Sequence, residues 1–410
     1  MVTFYLSLIA PAALLLLVVQ ATRLTRVPGL AALARTLLLF AVLLPAADYV
    51  VRRSRPEAAP AAPAAPVYSF TAAKGDPAAF SAWWAYYTNE WVRPGGAVAS
   101  TQMPDPKGVL PSVMIPNSTG PFFDAVIRIN NFGFRGADIQ RDKGERYRIF
   151  ALGESPTFGA TIRRDDRPWP DVLGTLIQSR LQCDRPVEVI NAGTGGYDLE
   201  HNLERIRRDV IPLKPDLVLS YHGYNGARFV TIDAGADEQK PRRGEGPSPL
   251  IDEAIYRARL YRWKKSPAAV PAFSEAQVLQ GRYATLYREL IGLGEENHFR
   301  VVLANFSMAV VATSPREVLD FYGRGFSGMD GMVARMAAHN YAVEKVAAEA
   351  RVPFIDTTPD LAGAWDADLF LDLVHFTQKG SDRLAERMFT GLLPILRERL
   401  RCTGLDVLER

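Results

Sequence analysis

The feature that most constrains the fold is a regular alternation of short apolar segments and longer amphipathic segments, which begins at about residue 146. The apolar segments have the length of strands, and the amphipathic segments have the length and periodicity of helices. Such alternation predicts a parallel sheet with helices on both faces. The predicted strands are 147–152, 187–191, 216–221, 300–306 and 352–356. The predicted helices are 168–182, 199–210, 275–297, 327–350 and 379–401.

Polar motifs follow the first three predicted strands. Ser155 comes directly after the first strand, in RYRIFALGESPTFG, where a helix is expected to begin. Gly193 lies in the glycine-rich segment 191–197, and Asn225 lies in HGYNG after the third strand. Because the C-terminal ends of parallel strands share one edge of the sheet, the three motifs are predicted to meet there.

A fourth motif, DLVH, lies near the end of the chain and places Asp372 three residues before His375. Acyl transfer to a serine requires a base, a group that orients the base, and donors for the oxyanion. His375 is the candidate base, Asp372 is its candidate partner, and Ser155 is the candidate nucleophile. Each motif is common by chance, but their order after successive strands is much harder to obtain by chance.

Taken together, the four blocks resemble those of the SGNH (GDSL-type) hydrolase superfamily over roughly residues 146–400. The resemblance places the family's blocks on Ser155, Gly193, Asn225 and His375, with Asp372 completing the triad. It implies a flavodoxin-like three-layer α/β/α sandwich and ester hydrolysis or acyl transfer without a metal or other cofactor. The oxyanion hole that it implies consists of the backbone N–H groups of Ser155 and Gly193 and the side chain of Asn225.

Two residues depart from the family pattern. Glu154 stands where the family has the aspartate of Gly-Asp-Ser, and Gly226 stands where it has the aspartate of Gly-x-Asn-Asp. Neither missing aspartate belongs to the triad, but the longer Glu154 is expected to affect the turn, and Gly226 removes a possible brace of the Asn225 loop. The segment NNFGFRG (130–136) resembles one that precedes the serine block in membrane-anchored members.

The first 145 residues predict an organisation unlike the rest of the chain. Residues 1–55 are predicted to be a membrane anchor of two transmembrane helices, 2–20 and 29–51, because the first run carries no charge and the second carries only two. Residues 56–66 form an Ala/Pro linker. Residues 67–145 are an aromatic-rich extension, whose WWAYYTNEW segment indicates a helix packed on the main domain or an aromatic platform for a sugar or acyl chain. Residues 146–410 form the hydrolase-like domain.

The distribution of charge argues against a nucleic-acid partner. Residues 1–55 carry six Arg and one Asp, a charge of +5, so residues 56–410 sum to −2 in a chain of net charge +3. The basic excess therefore lies in the predicted anchor, and the remaining residues have no basic field suited to nucleic acid.

The two cysteines leave two interpretations open. Cys183 follows the helix after Ser155, and Cys402 follows the last helix of the chain. In a flavodoxin-like strand order these helices are possible neighbours with level C-terminal ends, which permits a disulfide and would require an oxidising compartment. The alternative is two unrelated buried thiols.

Three functional hypotheses follow from the sequence. The first is a membrane-anchored serine esterase or deacylase, acting on an acyl ester of a cell-envelope carbohydrate or lipid, with its catalytic domain in the periplasm. The second is an O-acyltransferase that passes the acyl group to a polysaccharide hydroxyl. The third is a catalytically degenerate domain with a binding or scaffold role in a membrane complex, whose protein partners the sequence does not identify.

Overall fold

The structure is a computed structural model of the chain. It describes residues 69–93, 95–122, 125–160, 167–227, 230, 249–265, 272–323 and 329–404, with nine single positions between residues 13 and 49. The chain divides into two compact units. The smaller unit comprises Met1–Ala59, Glu238–Pro267 and Gly325–Ser327, and the larger comprises Pro60–Asp237, Ala268–Arg324 and Gly328–Arg410.

The described strands and helices are numbered separately in chain order. The strands are β1 (Gln102–Met103), β2 (Val113–Met114), β3 (Thr119–Phe122), β4 (Ala125–Arg128), β5 (Tyr147–Gly153), β6 (Leu181–Gln182), β7 (Val187–Gly193), β8 (Leu217–Tyr221), β9 (Arg300–Ala304), β10 (Phe354–Ile355) and β11 (Thr403–Gly404). The α-helices are α1 (Pro77–Val92), α2 (Ala97–Thr101), α3 (Ser155–Phe158), α4 (Trp169–Arg180), α5 (Leu199–Arg205), α6 (Pro249–Lys265), α7 (Glu275–Gln280), α8 (Arg282–Glu296), α9 (Arg316–Tyr322), α10 (Met329–Ala350), α11 (Thr358–Leu361) and α12 (Gln378–Leu400).

The larger unit is built on a five-stranded sheet in the order β10-β9-β8-β5-β7. Every neighbouring pair in it is parallel. Counted in chain order among the strands of this sheet, the arrangement is 2-1-3-4-5 read from β7, which is the flavodoxin-like order. The order reverses between β5 and β8, and in such sheets ligands bind beyond the C-terminal ends of the strands at this point.

Helices cover both faces of the sheet. All seven residues of β5 are buried, so this central strand is shielded on each side. Phe150 and Leu152 share a core with residues of α5, α8 and α10. On the other side, α4 packs against both β7 and α12. The α/β class and the central parallel sheet are therefore confirmed.

Two predicted helices differ in detail from those observed. The predicted helix 275–297 is interrupted at Gly281, which is extended (φ −63°, ψ 160°). A Cβ on Gly281 would lie 2.0 Å from the carbonyl oxygen of Val230, so the chain needs glycine where the two segments meet. The predicted helix 199–210 changes from an α-helix to a π-helix at Ile206–Val210.

The aromatic segment before the sheet lies in α1, whose N-cap residue, Asp76, accepts a hydrogen bond on its side chain from the N–H of Ala78. Trp83 and Tyr87 are each only 6% exposed. They share a core cluster with Phe158 of α3, and the Tyr87 hydroxyl donates to the carbonyl oxygen of Ala160 at 3.0 Å. These rings therefore pack against the residues that follow Ser155.

No helix within the described ranges is long and apolar enough to cross a membrane. The predicted transmembrane helices 2–20 and 29–51 lie outside the described residues except for single positions, and the linker 56–66 lies wholly outside them. The N-terminal helices of the predicted fold thus remain a prediction.

Cys183 and Cys402 form a disulfide between residues 219 positions apart. The short strands β6 and β11 beside them pair antiparallel, with Gln182 opposite Thr403. The helices that precede the cysteines are neighbours, and Arg180 of α4 forms an ion pair with Glu386 of α12. The disulfide interpretation is therefore the one that the structure adopts.

Candidate active site

Ser155 is the first residue of the four-residue helix α3, which follows β5 after a tight turn at Glu154. Glu154 at the N-cap is extended, and Gly159 ends the helix in the left-handed region at φ 80°. A Cβ on Gly153 would lie 2.1 Å from Thr157 Oγ1 and 2.6 Å from the carbonyl oxygen of Tyr221. Only glycine therefore lets the strand turn this closely, and the turn leaves Ser155 half-buried at the C-terminal edge of the sheet.

The three predicted triad residues meet at this edge. His375 Nε2 lies 2.8 Å from Ser155 Oγ, and His375 Nδ1 lies 2.7 Å from Asp372 Oδ2. An ionised carboxylate only accepts hydrogen bonds, so Nδ1 carries the hydrogen and Nε2 is left as the acceptor for the serine hydroxyl. This is the arrangement in which a histidine acts as a base toward serine.

The turn that carries Asp372 and His375 holds the carboxylate in place. Asp372 Oδ1 accepts from the backbone N–H groups of Val374 at 2.9 Å and His375 at 2.8 Å. Asp372 is 4% exposed. Burial acts to raise the pKa of this carboxyl, but the electrostatic interaction with His375 and these hydrogen bonds outweigh burial and lower the pKa of Asp372 below its usual value. Asp372 is therefore ionised at neutral pH.

Glu154, the first departure from the family pattern, braces the loop that carries Asn225. Its carboxyl oxygens accept from the backbone N–H groups of Gly223 at 3.0 Å and Asn225 at 2.9 Å. The side chain is fully buried between β5 and this loop. The longer side chain thus reaches under the loop and fixes its backbone, a role that sequence reasoning did not identify because it depends on a contact 71 residues away.

Burial raises the pKa of Glu154 to about 8. The hydrogen bonds from Gly223 and Asn225 act in the opposite direction because they favour the charged form, and the nearby Asp198 carboxylate adds to the rise. The carboxyl therefore holds a proton through most of the neutral range.

Gly226, the second departure, is explained by Tyr283. A Cβ on Gly226 would lie 2.4 Å from the Tyr283 hydroxyl oxygen. That hydroxyl donates to the carbonyl oxygen of Gly223 at 3.2 Å. Tyr283 and Glu154 together hold the carbonyl and N–H groups of this loop, so the loop is braced without the family's aspartate.

The two remaining residues of the predicted oxyanion hole, Asn225 and Gly193, make hydrogen bonds of their own. Asn225 Nδ2 donates to the carbonyl oxygen of Tyr197 at 2.7 Å. The N–H of Gly193 donates to Asn191 Oδ1 at 3.0 Å, and this bond speaks against Gly193 as an oxyanion donor. A Cβ on Gly193 would lie 2.3 Å from the backbone nitrogen of Phe158. Glycine is thus needed here so that β7 can pack against α3.

Among the residues within the described ranges, no cluster of three or more His, Cys, Asp or Glu side chains is arranged to hold a metal ion. The triad and the residues that brace it are all supplied by the larger unit.

A family model described as "GDSL-like Lipase/Acylhydrolase family" matches residues 151–383, more than half of the chain. No curated protein sequence matches the chain.

The solved structures to which the chain is similar include three bacterial proteins. A lipase/acylhydrolase from Enterococcus faecalis is 19% identical, with 63% of this chain and 99% of that chain covered and a TM-score of 0.38. A GDSL-like lipase from Bacteroides thetaiotaomicron is 16% identical, with coverages of 61% and 89% and a TM-score of 0.36. An acetylxylan esterase from Geobacillus stearothermophilus is 16% identical, with coverages of 62% and 96% and a TM-score of 0.38.

Proposed function

The chain belongs to the GDSL-like lipase/acylhydrolase family of ester-cleaving enzymes, and we propose that it is a serine esterase acting through an acyl-enzyme on Ser155. One observation carries this proposal: His375 lies within hydrogen-bond distance of both Ser155 Oγ, at 2.8 Å, and Asp372 Oδ2, at 2.7 Å. Family membership and an assembled triad support the same chemistry independently.

In the proposed reaction, His375 Nε2 takes the hydroxyl proton as Ser155 Oγ attacks the ester carbonyl carbon. Asp372 stabilises the imidazolium that forms. The imidazolium then gives its proton to the leaving alcohol oxygen as the ester C–O bond breaks, which leaves the acyl group on Ser155. A water molecule, deprotonated by His375, attacks this acyl-enzyme, and the proton returns to Ser155 as the free acid leaves.

We propose that the oxyanion accepts hydrogen bonds from the Ser155 N–H and the Asn225 side chain. An amide nitrogen carries two hydrogens, and Asn225 Nδ2 donates one of them to Tyr197, so the other serves the substrate. Gly193 is not included because its N–H is bonded to Asn191. Loss of one such donor typically raises the barrier by about 2.7–4 kcal/mol.

The test is hydrolysis of a chromogenic acetyl ester by Ser155→Ala and by Ser179→Ala, whose exposed hydroxyl lies on α4. We expect Ser155→Ala to lose nearly all activity and all labelling by an organophosphonate, while Ser179→Ala keeps both. Equal activity in the two variants would overturn the proposal.

The triad argues against a degenerate domain and is equally compatible with hydrolysis and with acyl transfer. A degenerate domain would not need the short distances that join Ser155, His375 and Asp372. Transfer to a polysaccharide hydroxyl differs from hydrolysis only in the acceptor. An oligosaccharide added to the ester assay distinguishes them: acylated sugar formed at the expense of free acetate would make the enzyme an O-acyltransferase.

We further propose that residues 2–20 and 29–51 anchor the enzyme to a membrane and that the catalytic domain works in the periplasm, on an acyl group of a cell-envelope carbohydrate or lipid. The uncharged run 2–20 supports the anchor. The disulfide supports an oxidising compartment.

Two measurements test the anchor and the compartment. The chain should sediment with membranes and resist alkaline extraction, whereas a chain that begins at residue 67 should be soluble. Cys183 and Cys402 should react with maleimide in protein from cells only after reduction. A chain that is extracted at high pH would refute the anchor, and thiols that react before reduction would refute the compartment.

A further inference from the structure

The turn at residues 130–136, which precedes the sheet, contacts the nucleophile helix directly. Arg135 Nη1 donates to the carbonyl oxygens of Phe158 at 2.9 Å and Gly159 at 2.8 Å. The Arg135 guanidinium also lies 4.9 Å from the centre of the Phe158 ring. A four-residue helix leaves its last carbonyls without partners of its own, and a cation is favourable at that end. Arg135 therefore completes the C-terminal end of the helix that begins with Ser155.

A second arginine joins the same turn to the end of β7. Arg205 Nη2 donates to the carbonyl oxygen of Gly133 at 2.7 Å. Arg205 Nη1 donates to the carbonyl oxygen of Ala192 at 2.8 Å and to the Thr194 hydroxyl. Arg205 is 4% exposed. The turn is thus bonded on one side to the nucleophile helix and on the other to the glycine-rich loop that follows β7.

The turn itself is rigidly built. Asn130 Oδ1 accepts from the backbone N–H groups of Phe132 at 2.9 Å and Phe134 at 3.0 Å. Gly133 adopts φ 81°, which favours glycine. Phe134 is fully buried and packs edge-to-face on Phe150 of β5, with ring centres 5.4 Å apart. Arg135 is therefore held on a fixed support when it contacts α3.

We propose that Arg135 is a positioning residue for catalysis, which holds Ser155 at hydrogen-bond distance from His375 by fixing the far end of the nucleophile helix. This inference rests on the proposed esterase function. Ser155 Oγ and His375 Nε2 come from segments 220 residues apart, so small shifts of α3 change their distance directly. A misplacement of about 1 Å in an active site can cost on the order of 100-fold in rate.

Arg148 provides a matched control. It is a fully buried arginine, whereas Arg135 is half-buried. It donates to the carbonyl oxygens of Leu213 at 2.8 Å and Gln140 at 2.7 Å, and it forms an ion pair with Glu188 at 2.6 Å. It lies near the N-terminal end of β5, at the opposite edge of the sheet from Ser155. Replacing Arg148 therefore removes more hydrogen bonds than replacing Arg135 does, without touching α3.

The experiment compares Arg135→Ala and Arg148→Ala with the unchanged chain on a chromogenic acetyl ester. Active sites are counted by organophosphonate titration, so that unfolded protein does not enter kcat. We expect Arg135→Ala to lower kcat by about 10- to 100-fold with KM changed less than about threefold. We expect millimolar guanidinium to restore part of that kcat. Arg148→Ala should lower the melting temperature but keep kcat per titrated site, with no response to guanidinium.

Each outcome has one meaning. If Ser155→Ala is inactive but Arg135→Ala keeps the kcat of the unchanged chain, the positioning role is refuted and the esterase function stands. An equal loss of kcat in Arg135→Ala and Arg148→Ala would also refute the positioning role and leave the esterase function standing. If Ser155→Ala retains activity, the function itself fails. Should Arg135→Ala not fold, Arg135→Met keeps most of the length of the side chain without its hydrogen-bond donors, and an unchanged kcat in it would equally refute the proposal.

Discussion

Replacing Glu154 with glutamine should change how the stability of the protein depends on pH. The side chain is fully buried, and burial raises its pKa to about 8. The folded protein therefore keeps this proton up to about pH 8, whereas an unfolded chain loses it near the ordinary value of 4.5. Between these two values the folded state binds more protons than the unfolded state.

The sign and size of the effect follow from this difference. The contribution of Glu154 to stability is fully present below pH 4.5 and is lost as the pH rises through 8. The shift corresponds to about 5 kcal/mol in total, of which about 3 kcal/mol falls between pH 5 and pH 7.5. Glutamine does not ionise, so the stability of the variant does not fall in this way as the pH rises. It instead pays a cost that does not depend on pH, because its NH₂ group faces the N–H of Gly223 or Asn225.

The measurement is the free energy of unfolding in urea at pH 5, 6 and 7.5 for the unchanged chain and Glu154→Gln. The free energy of unfolding of Glu154→Gln, relative to that of the unchanged chain, should rise by about 3 kcal/mol between pH 5 and pH 7.5. Glu200→Gln, at an exposed carboxylate on α5, serves as the control and should show no such trend. A difference for Glu154→Gln that is the same at all three values would mean that Glu154 is ionised throughout and would refute the reasoning.

Three further predictions concern the triad, the disulfide and the turn. Asp372→Asn should lower kcat on a chromogenic ester by about 10³–10⁴-fold with an unchanged melting temperature, because His375 loses the carboxylate that fixes its tautomer; a loss under tenfold would contradict this. Cys402→Ser should lower the free energy of unfolding in urea by about 2–5 kcal/mol, and a chain of unchanged stability would show that the bridge with Cys183 is not formed. Gly153→Ala should lower kcat per titrated site at least about tenfold because the new Cβ would lie 2.1 Å from Thr157 Oγ1; kcat equal to that of the unchanged chain would show that the turn can relax.

The sheet could be predicted because its strands are recognisable locally. The strands at 147–153 and 187–193 are mostly apolar and end in glycine, so their positions were predicted to within two residues. The edge strand β10 has only two residues, against five predicted. As an edge strand, β10 has a single neighbour, β9. The length over which the two strands pair depends on β9 rather than on the sequence of β10.

The triad could also be predicted, since Ser155, Asp372 and His375 each follow a strand or precede a helix in a recognisable pattern. The directions in which individual N–H groups point could not be predicted from the sequence. Gly193 was expected to face the substrate, but its N–H is bonded to a side chain two residues earlier. The supports of the site, such as Glu154 and Arg135, depend on backbone groups far along the chain or on another element, and no local pattern reveals them.

The disulfide also determines what a single cut in the chain can separate. Asn225, Asp372 and His375 lie between the two bonded cysteines, whereas Ser155 precedes both. One cleavage between residues 183 and 375 therefore leaves the fragment that bears Ser155 covalently linked to the fragment that bears His375. A nicked enzyme would run as a single band without reductant and as two bands with it, so proteolysis of this region removes neither partner of the triad from the other until the bridge is reduced.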